Sequence, residues 1–281
     1  MERAEVALET ALLTHGLPWP ENLSTMEALL QAVEAEGARP RPIGVVGGRV
    51  RVGLSKAEIL RLAQGGADKA SLWNLAALIA AGKDAGTTVA ATVHLAHRAG
   101  LEVLATGGIG GVHPASFDES ADLLALSRTP ILVVASGPKS VLDLEATLER
   151  LETCGITVLG FRTDRMPAFL SPDSPYPLPA RVETPLEAAR VYREAKALGL
   201  GGVLLFNPVS EELPYQEVQA HVEEANREAR RLGVTGKDLT PYLLKRLAER
   251  TQGRSLEVNR RLLVENARLA AQVARALAGV E

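Results

Sequence analysis

The sequence predicts an α/β fold with a mixed, largely parallel central sheet, flanking helices and a helical C-terminal layer. Two observations predict it. Short apolar runs alternate with amphipathic stretches through the middle of the chain, which is typical of parallel strands joined by crossover helices. After Pro214 the pattern becomes almost entirely helical. Because no low-complexity linker interrupts the 281 residues, we expect residues 1–281 to form a single domain.

Composition indicates an ordinary globular protein. Hydrophobic residues make up 46% and charged residues 23% of the chain, enough for a sizeable core. The net charge of −3 gives no support for binding polymeric nucleic acid. Cys154 is the only cysteine, which indicates a reducing compartment. Neither a signal peptide nor an apolar run of roughly 18 residues is found. We therefore expect a cytoplasmic protein without a membrane partner.

Strands are predicted where short runs of aliphatic and β-branched residues are bounded by glycine, proline or polar residues. In the sequence IGVVGGRVRV, Gly47 and Gly48 separate two β-rich halves, which predicts a hairpin. The Pro-rich segment 165–182 is expected to be a long loop that serves as a lid or a binding loop. The predicted strands cover residues 4–8, 102–104, 130–135, 157–161 and 202–206, and the hairpin covers 42–52.

Helices are predicted where apolar residues recur at helical spacing behind an N-terminal signal. Three of them begin with the Ser-x-x-Glu pattern of a capping box, at Ser24, Ser55 and Ser116. An Ala-rich stretch over 75–100 is expected to be helical with a break at 82–86. The predicted helices cover residues 24–35, 55–63, 75–100, 116–126, 140–151, 215–232, 240–251 and 255–280.

Lys139 follows the strand predicted over 130–135 and stands at the start of the helix predicted over 140–151. Sites in open α/β sheets lie at the carboxyl ends of strands. A helix N-terminus disfavours a cation, and the apolar flanks act in the same direction, so this position favours the neutral amine. A neutral lysine is a nucleophile that can form a Schiff base. A solvated lysine, or one that holds a phosphate, fits the same position.

The segment TGGIGGVH, from Thr106 to His113, is rich in glycine and follows a predicted strand. Such a loop can leave backbone N–H groups free and let a phosphate approach closely. It matches neither a Walker loop nor a dinucleotide fingerprint. A tight exit from the strand explains the glycines equally well. His113 is expected either to contact a phosphate or to cap the loop.

Two aspartates, Asp118 and Asp122, are four residues apart in SFDESADLL and are expected to share one helix face. One carboxylate together with waters and substrate oxygens is a typical arrangement for Mg²⁺ or Mn²⁺. Acidic residues in a first helical turn also complement the helix dipole, so the spacing leaves both interpretations open. Glu119 is assigned to the capping box with Ser116.

Several other residues are candidates for a site. Glu9 follows a strand among apolar residues, so it is either a general acid with a raised pKa or an exposed residue at a strand end. Lys69 follows Gly65 and Gly66 and meets either a phosphate or solvent. Asn259 interrupts an amphipathic helix, where asparagine has a poor propensity, and faces either a polar ligand or the surface.

These motifs occur in order over nearly the whole chain, and as a set they resemble the pseudouridine-5′-phosphate glycosidase family, which also contains the indigoidine-cluster protein A. The resemblance implies a homotrimer that uses Mn²⁺ or another divalent metal. It implies reversible cleavage of the C1′–C5 bond of pseudouridine 5′-phosphate to uracil and ribose 5-phosphate. The matching stretches include VALETALLTHGLPWPEN, IGVVGGRVRVGLSKAEI, AAGKDAGTTVAATVHLA, ATGGIGGVH, FDESADLLAL, VVASGPKSVLDLEATLERLET and SLEVNRRLLVENA.

The resemblance also assigns roles. Lys139 matches the lysine that adds to C1′ of the ring-opened sugar, Glu9 the acid/base glutamate, and Asp118 the metal-binding aspartate. A C–C glycosidic bond has no leaving oxygen or nitrogen to protonate, which explains the need for a covalent lysine. The positions that match substrate contacts are Lys69, Val89, His113, Ser120, Ala121, Asp122 and Asn259.

Two alternatives remain open at this point. Lys139 would also serve a lysine-dependent lyase or aldolase that acts on another sugar phosphate, and binding of pentose phosphates without uracil would favour that reading. A non-catalytic nucleotide-binding protein would need no Schiff-base lysine, so the set of Glu9, Asp118 and Lys139 argues against it.

Overall fold

The computed structural model describes residues 4–114, 118–210, 213–234 and 239–279. Within these ranges the chain forms a mixed, mostly parallel sheet with helices packed against it, which confirms the predicted fold class. No helix in the described ranges is long and apolar enough to cross a bilayer. The strands are β1 (Glu5–Leu8), β2 (Arg39–Val46), β3 (Arg49–Val52), β4 (Asp68–Ala70), β5 (Ala85–Thr87), β6 (Val103–Ala105), β7 (Leu132–Ala135), β8 (Thr157–Phe161), β9 (Arg181–Val182) and β10 (Val203–Phe206).

The sheet runs in the order β4-β5-β2-β1-β6-β7-β10-β8-β9, with β3 paired to β2 alone. The pairs from β2 through β1 to β9 are parallel, whereas β2 is antiparallel to both β3 and β5. Gly47 and Gly48 have positive φ angles of 56° and 69° between β2 and β3, which confirms the predicted hairpin.

The helices described by the structure cover both faces of the sheet. Consecutive residues of β6 belong to two separate apolar cores: Val103 packs in one and Leu104 in the other. The reason is that successive side chains of a strand point to opposite faces of the sheet. The helices are α1 (Glu21–Ala35), α2 (Lys56–Ala63), α3 (Leu75–Ala80), α4 (Val89–Arg98), α5 (Ala121–Arg128), α6 (Leu144–Thr153), α7 (Pro185–Ala197), α8 (Tyr215–Leu232), α9 (Leu239–Arg250) and α10 (Arg254–Leu277). The long helix α10 packs across β1, β6 and β7 and forms the predicted C-terminal helical layer with α8 and α9.

Two N-terminal predictions need correction. The helix expected from Ser24 begins at Glu21, directly after Pro20, and the Ser24 hydroxyl donates to the Glu21 carbonyl instead of capping. The break expected at 82–86 in the helix over 75–100 is present, but it is wider than predicted and contains the strand β5, so the segment forms two helices, α3 and α4. Gly86 allows β5 to approach the chain after β1 closely, since a Cβ there would lie 2.6 Å from the Thr10 carbonyl oxygen. By contrast, Ser55 and Glu58 form the predicted capping box.

Two predictions near the site are also wrong. The helix expected from residue 140 begins at Leu144, capped by Asp143, so Lys139 lies in the preceding loop and not at a helix N-terminus. The helix expected from residue 116 begins at Ala121, with Ser120 as its cap. Asp118 therefore precedes the helix and does not share a helical face with Asp122.

The capping box expected between Ser116 and Glu119 falls partly on a residue that the structure does not describe. Ser116 lies outside the described residues. Glu119 is paired with Arg150 of α6, with the carboxylate oxygen 3.0 Å from the guanidinium Nε. This ion pair joins the segment before α5 to the helix that follows the Lys139 loop.

Candidate active site

A cavity of about 590 Å³ opens at the carboxyl edge of the sheet. The register of the parallel strands aligns their ends: Leu8 lies beside Ala105, and Ala135 lies beside Phe206. The residues that follow β1, β6 and β7 therefore meet at one edge, as expected for an open α/β sheet.

The cavity gathers most of the residues singled out from the sequence. Ala121 and Asp118 do not line it; Ala121 is the first residue of α5, and the Asp118 carbonyl accepts a hydrogen bond from the His113 N–H at 2.9 Å. The predicted site residues that do line it are Glu9, Lys69, Val89, His113, Ser120, Asp122, Lys139 and Asn259.

Glu9 stands directly after β1 and lines the cavity. Burial raises the pKa of its carboxyl group, and the positive charge of Lys139 and a hydrogen bond from the Thr106 hydroxyl act in the opposite direction. A carboxyl group whose protonated form persists to higher pH is suited to donating a proton. Glu9 and Lys139 are thus electrostatically coupled within one cavity.

Lys139 is held by pairing between the loop after β7 and the glycine loop after β6. The Lys139 N–H donates to the Ile109 carbonyl at 3.1 Å, and the Ile109 N–H donates to the Gly137 carbonyl at 3.2 Å. The Ser136 N–H donates to the Gly107 carbonyl at 2.8 Å. These long-range bonds explain why the chain stays extended here and does not begin α6.

The glycine loop uses several of its N–H groups in hydrogen bonds within the protein, and Gly107, Gly108 and Gly110 line the cavity. The N–H groups of Ile109 and Gly110 donate to the Gly137 carbonyl and to Asp122, and the N–H of Val112 donates to the Thr147 hydroxyl. Close packing also requires glycine in this loop. A Cβ at Gly108 would lie 2.7 Å from the ring of Phe169.

Asp122 joins the glycine loop to α4. Its buried carboxylate accepts the Ala90 N–H at 2.9 Å with one oxygen and the Gly110 N–H at 2.8 Å with the other. Because Ala90 belongs to the first turn of α4, this carboxylate also complements the helix dipole. Asp122 therefore has a structural role in addition to its predicted contact with substrate.

Lys69, on β4, places a second amine in the cavity. Burial lowers the pKa of the Lys69 ammonium, as does the charge of Lys139, while Glu9 and Asp122 oppose both effects. The Asn74 side chain donates to the Lys69 carbonyl at 3.0 Å and fixes the turn that follows the strand. Two amines, one on β4 and one in the loop after β7, line the cavity and suit it to an anionic substrate.

Two buried polar atoms of the cavity wall have no hydrogen-bond partner among the described residues: His113 Nδ1 and Asn259 Oδ1. The other ring nitrogen of His113 lies 3.2 Å from the Thr240 hydroxyl of α9. Burial lowers the pKa of the His113 imidazole, and Asp118 opposes the shift. An unpaired buried polar atom is costly, so both atoms are suited to pairing with a bound ligand.

A metal ion would have few protein ligands here. No group of three His, Cys, Asp or Glu side chains with metal-binding geometry occurs in the described part of the chain. The Asp118 carboxylate does not line the cavity, but it is close enough to His113 to act on its pKa and is one anionic donor beside the cavity wall. This arrangement fits an Mg²⁺- or Mn²⁺-type ion that keeps most of its waters, and it does not fit a site built only from protein ligands.

Sequence reasoning missed Thr106 and Asn266. Thr106 is buried and bonds Glu9, whereas Asn266 is fully buried on α10 and bonds the chain after β6 and β7. A signal for Asn266 was present, since it follows Asn259 by seven residues, two helical turns, on a face otherwise made of apolar residues.

The fold and the cavity define an α/β enzyme whose lysine and acid lie at the carboxyl edge of the sheet. The sequence model of the family described as "Indigoidine synthase A like protein" matches residues 1–276. The chain belongs to this family.

Related proteins agree with this assignment. The pseudouridine-5′-phosphate glycosidase of Thermus thermophilus is 68% identical over 281 residues, all of both chains. The protein of that name from Mesorhizobium japonicum is 48% identical and aligns with 98% of this chain and 92% of its own.

Solved structures show the same fold. The crystal structure of an indigoidine synthase A-like protein from Thermotoga maritima has a TM-score of 0.92 and 39% identity, covering 98% of this chain and 94% of that one. The prealnumycin C-glycosynthase AlnA in complex with ribulose 5-phosphate has a TM-score of 0.91 and 37% identity, covering 99% and 93%.

Proposed function

We propose that this chain is a C-glycosidase that reversibly cleaves the C1′–C5 bond of pseudouridine 5′-phosphate to give uracil and ribose 5-phosphate. The observation that carries the proposal is that Lys139 and Glu9 line one cavity and are electrostatically coupled. Relatives that align over nearly the full length of this chain bear the name of this activity. A structural neighbour described as a C-glycosynthase was crystallised with a pentulose phosphate, which supports a sugar phosphate as ligand.

Lys139 acts as the nucleophile in this proposal. As the C1′–O4′ bond of the ribose opens and O4′ takes a proton, the Lys139 amine bonds to C1′. The Lys139 nitrogen, now an ammonium, loses a proton, and uracil is protonated at C5. The C1′–C5 bond then breaks with its electrons returning to the uracil ring, and the nitrogen lone pair forms the C1′=N bond of an iminium. Water hydrolyses this iminium, which releases ribose 5-phosphate and restores the amine.

Glu9 supplies and recovers the protons for these steps. Its raised pKa keeps the carboxyl group protonated to higher pH than an exposed glutamate would be. The Thr106 hydroxyl fixes the carboxylate, so the proton is delivered from one position. In the reverse direction the same carboxylate removes the C5 proton as uracil adds to the iminium.

The remaining predicted contacts are assigned to binding. Lys69 attracts the phosphate by charge. Asn259 Oδ1 and His113 Nδ1 offer unpaired polar atoms, the first for an N–H of uracil. Val89 belongs to the first turn of α4, and Ser120, Ala121 and Asp122 belong to the cap and first turn of α5; Val89, Ser120 and Asp122 line the cavity.

We propose Asp118 as the ligand of a bound Mn²⁺ or another divalent ion. Such an ion, when bound, polarises substrate oxygens. Electron paramagnetic resonance of added Mn²⁺ tests this assignment without relying on activity: free Mn²⁺ signal should be lost with wild type and retained with Asp118→Asn. Equal Mn²⁺ binding by both proteins would remove Asp118 from the site.

A homotrimer in the cytoplasm is the proposed state of the protein. The family resemblance supports the trimer, and the single Cys154 is compatible with a reducing compartment. Sedimentation velocity tests the assembly directly, because a trimer of this 29.8 kDa chain is easily separated from a monomer or dimer.

The decisive experiment combines trapping of the adduct with product analysis. Intact-protein mass is measured after borohydride treatment with ribose 5-phosphate for wild type, Lys139→Met and Lys83→Met, the last an exposed lysine outside the cavity. A pentose-phosphate adduct in wild type and Lys83→Met only would support the Schiff base at Lys139. Uracil release from pseudouridine 5′-phosphate then identifies the substrate. An adduct without uracil release would favour a lyase or aldolase for another sugar phosphate.

A further inference from the structure

We infer that Asn266 is a positioning residue for the reaction: its side-chain amide fixes the ends of adjacent strands and thereby the relative position of Glu9 and Lys139. The inference rests on the proposed function, since it concerns the same two residues. It is carried by hydrogen-bond geometry that involves neither substrate nor metal.

The Asn266 side chain contacts the chain just after each of three neighbouring strands. Its Nδ2 donates to the Thr106 carbonyl, after β6, at 2.8 Å and to the Ser136 hydroxyl, after β7, at 3.1 Å. Its Oδ1 accepts from the Asn207 amide, after β10, at 3.0 Å. One side chain on α10 thus bridges β6, β7 and β10 at the edge where the cavity opens.

Two of these three contacts lead directly to reacting groups. Thr106 uses its side chain to hold the Glu9 carboxylate while its carbonyl is held by Asn266. Ser136 begins the loop that carries Lys139, and its own N–H is bonded to Gly107 at 2.8 Å. A shift of the Asn266 amide would therefore move the proton donor and the nucleophile relative to each other.

An apolar side chain at position 266 would be sufficient to bury this face of α10. The same helix face buries Leu262, Leu263 and Ala270, and Asn266 is as fully buried as Leu262 and Ala270. Removing an amide from water is costly unless every polar atom finds a partner. The partners that Asn266 finds are the strand ends, which indicates that holding them is its role.

Asn22 provides a matched control. It is also buried, at 2% exposure, and its Nδ2 donates to the carbonyls of Leu13 at 2.6 Å and Ala63 at 2.9 Å. Asn22 tethers α1 and makes no contact with the ends of β6, β7 or β10 among its described bonds. Replacing either asparagine by leucine removes buried hydrogen bonds, but only one replacement releases the strand ends.

The test compares Asn266→Leu, Ser136→Ala and Asn22→Leu with wild type. For Asn266→Leu, kcat for uracil release should fall about 10- to 100-fold with KM within about threefold, because misplaced reacting groups cost rate more than binding. The alkaline limb of the kcat–pH profile should also move to higher pH, because a displaced Thr106 would no longer donate its hydrogen bond to Glu9. Ser136→Ala should show a smaller fall in kcat. Asn22→Leu should lower Tm but keep the wild-type kcat and pH profile.

A folded Asn266→Leu with wild-type kcat and pH profile would overturn the inference, as would an equal loss of kcat in Asn22→Leu. If Asn266→Leu does not fold, the test uses Ser136→Ala. An unchanged kcat in Ser136→Ala would then overturn the inference. The proposed function fails separately, since it is contradicted only when wild type itself releases no uracil.

Discussion

The Thr106 hydroxyl donates a hydrogen bond to the Glu9 carboxylate across the ends of two neighbouring parallel strands, β6 and β1. This bond favours the ionised form of Glu9, against the stronger effect of burial, which raises the pKa of the carboxyl group. Because burial and the hydrogen bond act on the pKa of Glu9 in opposite directions, loss of the Thr106 hydroxyl alone should change that pKa.

Thr106→Val removes this hydroxyl while keeping the shape of the side chain. With the bond lost, the pKa of Glu9 rises further, so its protonated form persists to higher pH. If Glu9 acts as the acid, the alkaline limb of the kcat–pH profile should move to higher pH by about one unit, the effect of one hydrogen bond of roughly 1.4 kcal/mol. A pH-rate series with pseudouridine 5′-phosphate measures it. An unmoved limb would assign that limb to another group.

The two aspartates of the site should respond differently to amidation. Asp122→Asn places an NH₂ group where a carboxylate oxygen now accepts a backbone N–H from Ala90 or Gly110, so unfolding free energy should fall by about 2–3 kcal/mol. Asp118→Asn removes no described side-chain hydrogen bond and should leave Tm nearly unchanged. Thermal unfolding without added metal makes the comparison, and equal shifts would contradict the structural role of Asp122.

Gly137 should tolerate no side chain. Its φ of +88° and the position of the Pro167 carbonyl oxygen, which a Cβ would overlap, both require glycine. Gly137→Ala must therefore displace the loop that carries Lys139, and the borohydride-trapped adduct should be lost together with stability. Gly155→Ala is the control, since Gly155 has a φ of +65° with open space around it and should cost only about 1 kcal/mol. Adduct formation by Gly137→Ala would contradict the prediction.

The sequence pattern predicted the layered fold but not the local structure around the site. Alternating apolar runs locate the strands because each strand carries its own signal. Lys139, however, lies in a loop whose conformation depends on hydrogen bonds to Ile109 and Val112, thirty residues earlier in the chain. A local sequence pattern cannot indicate such long-range bonds, so the sequence of this loop was interpreted as the start of a helix.

The capping-box pattern shows the same limit. Ser55 forms the box because its glutamate is free to fold back, whereas Ser24 lies inside a helix that already begins at Glu21. Most of the residues that the resemblance to a known family indicated do line the cavity. Asn266 and Thr106 were missed because their hydrogen-bond partners are distant in the chain and become neighbours only when the sheet has formed.

Trp73 should report the binding of substrate. Its indole is 83% exposed and lies in the wall of the cavity, whereas Trp19, 53% exposed, does not line it. Because these are the only two tryptophans, Trp19→Phe leaves Trp73 as the single fluorophore. Ribose 5-phosphate bound in the cavity would exclude water from the indole, so the emission of Trp19→Phe should shift to shorter wavelength on titration, with saturation. Trp73→Phe should show no such shift. A saturable response in Trp73→Phe but not in Trp19→Phe would place the ligand away from Trp73 and outside the cavity described above.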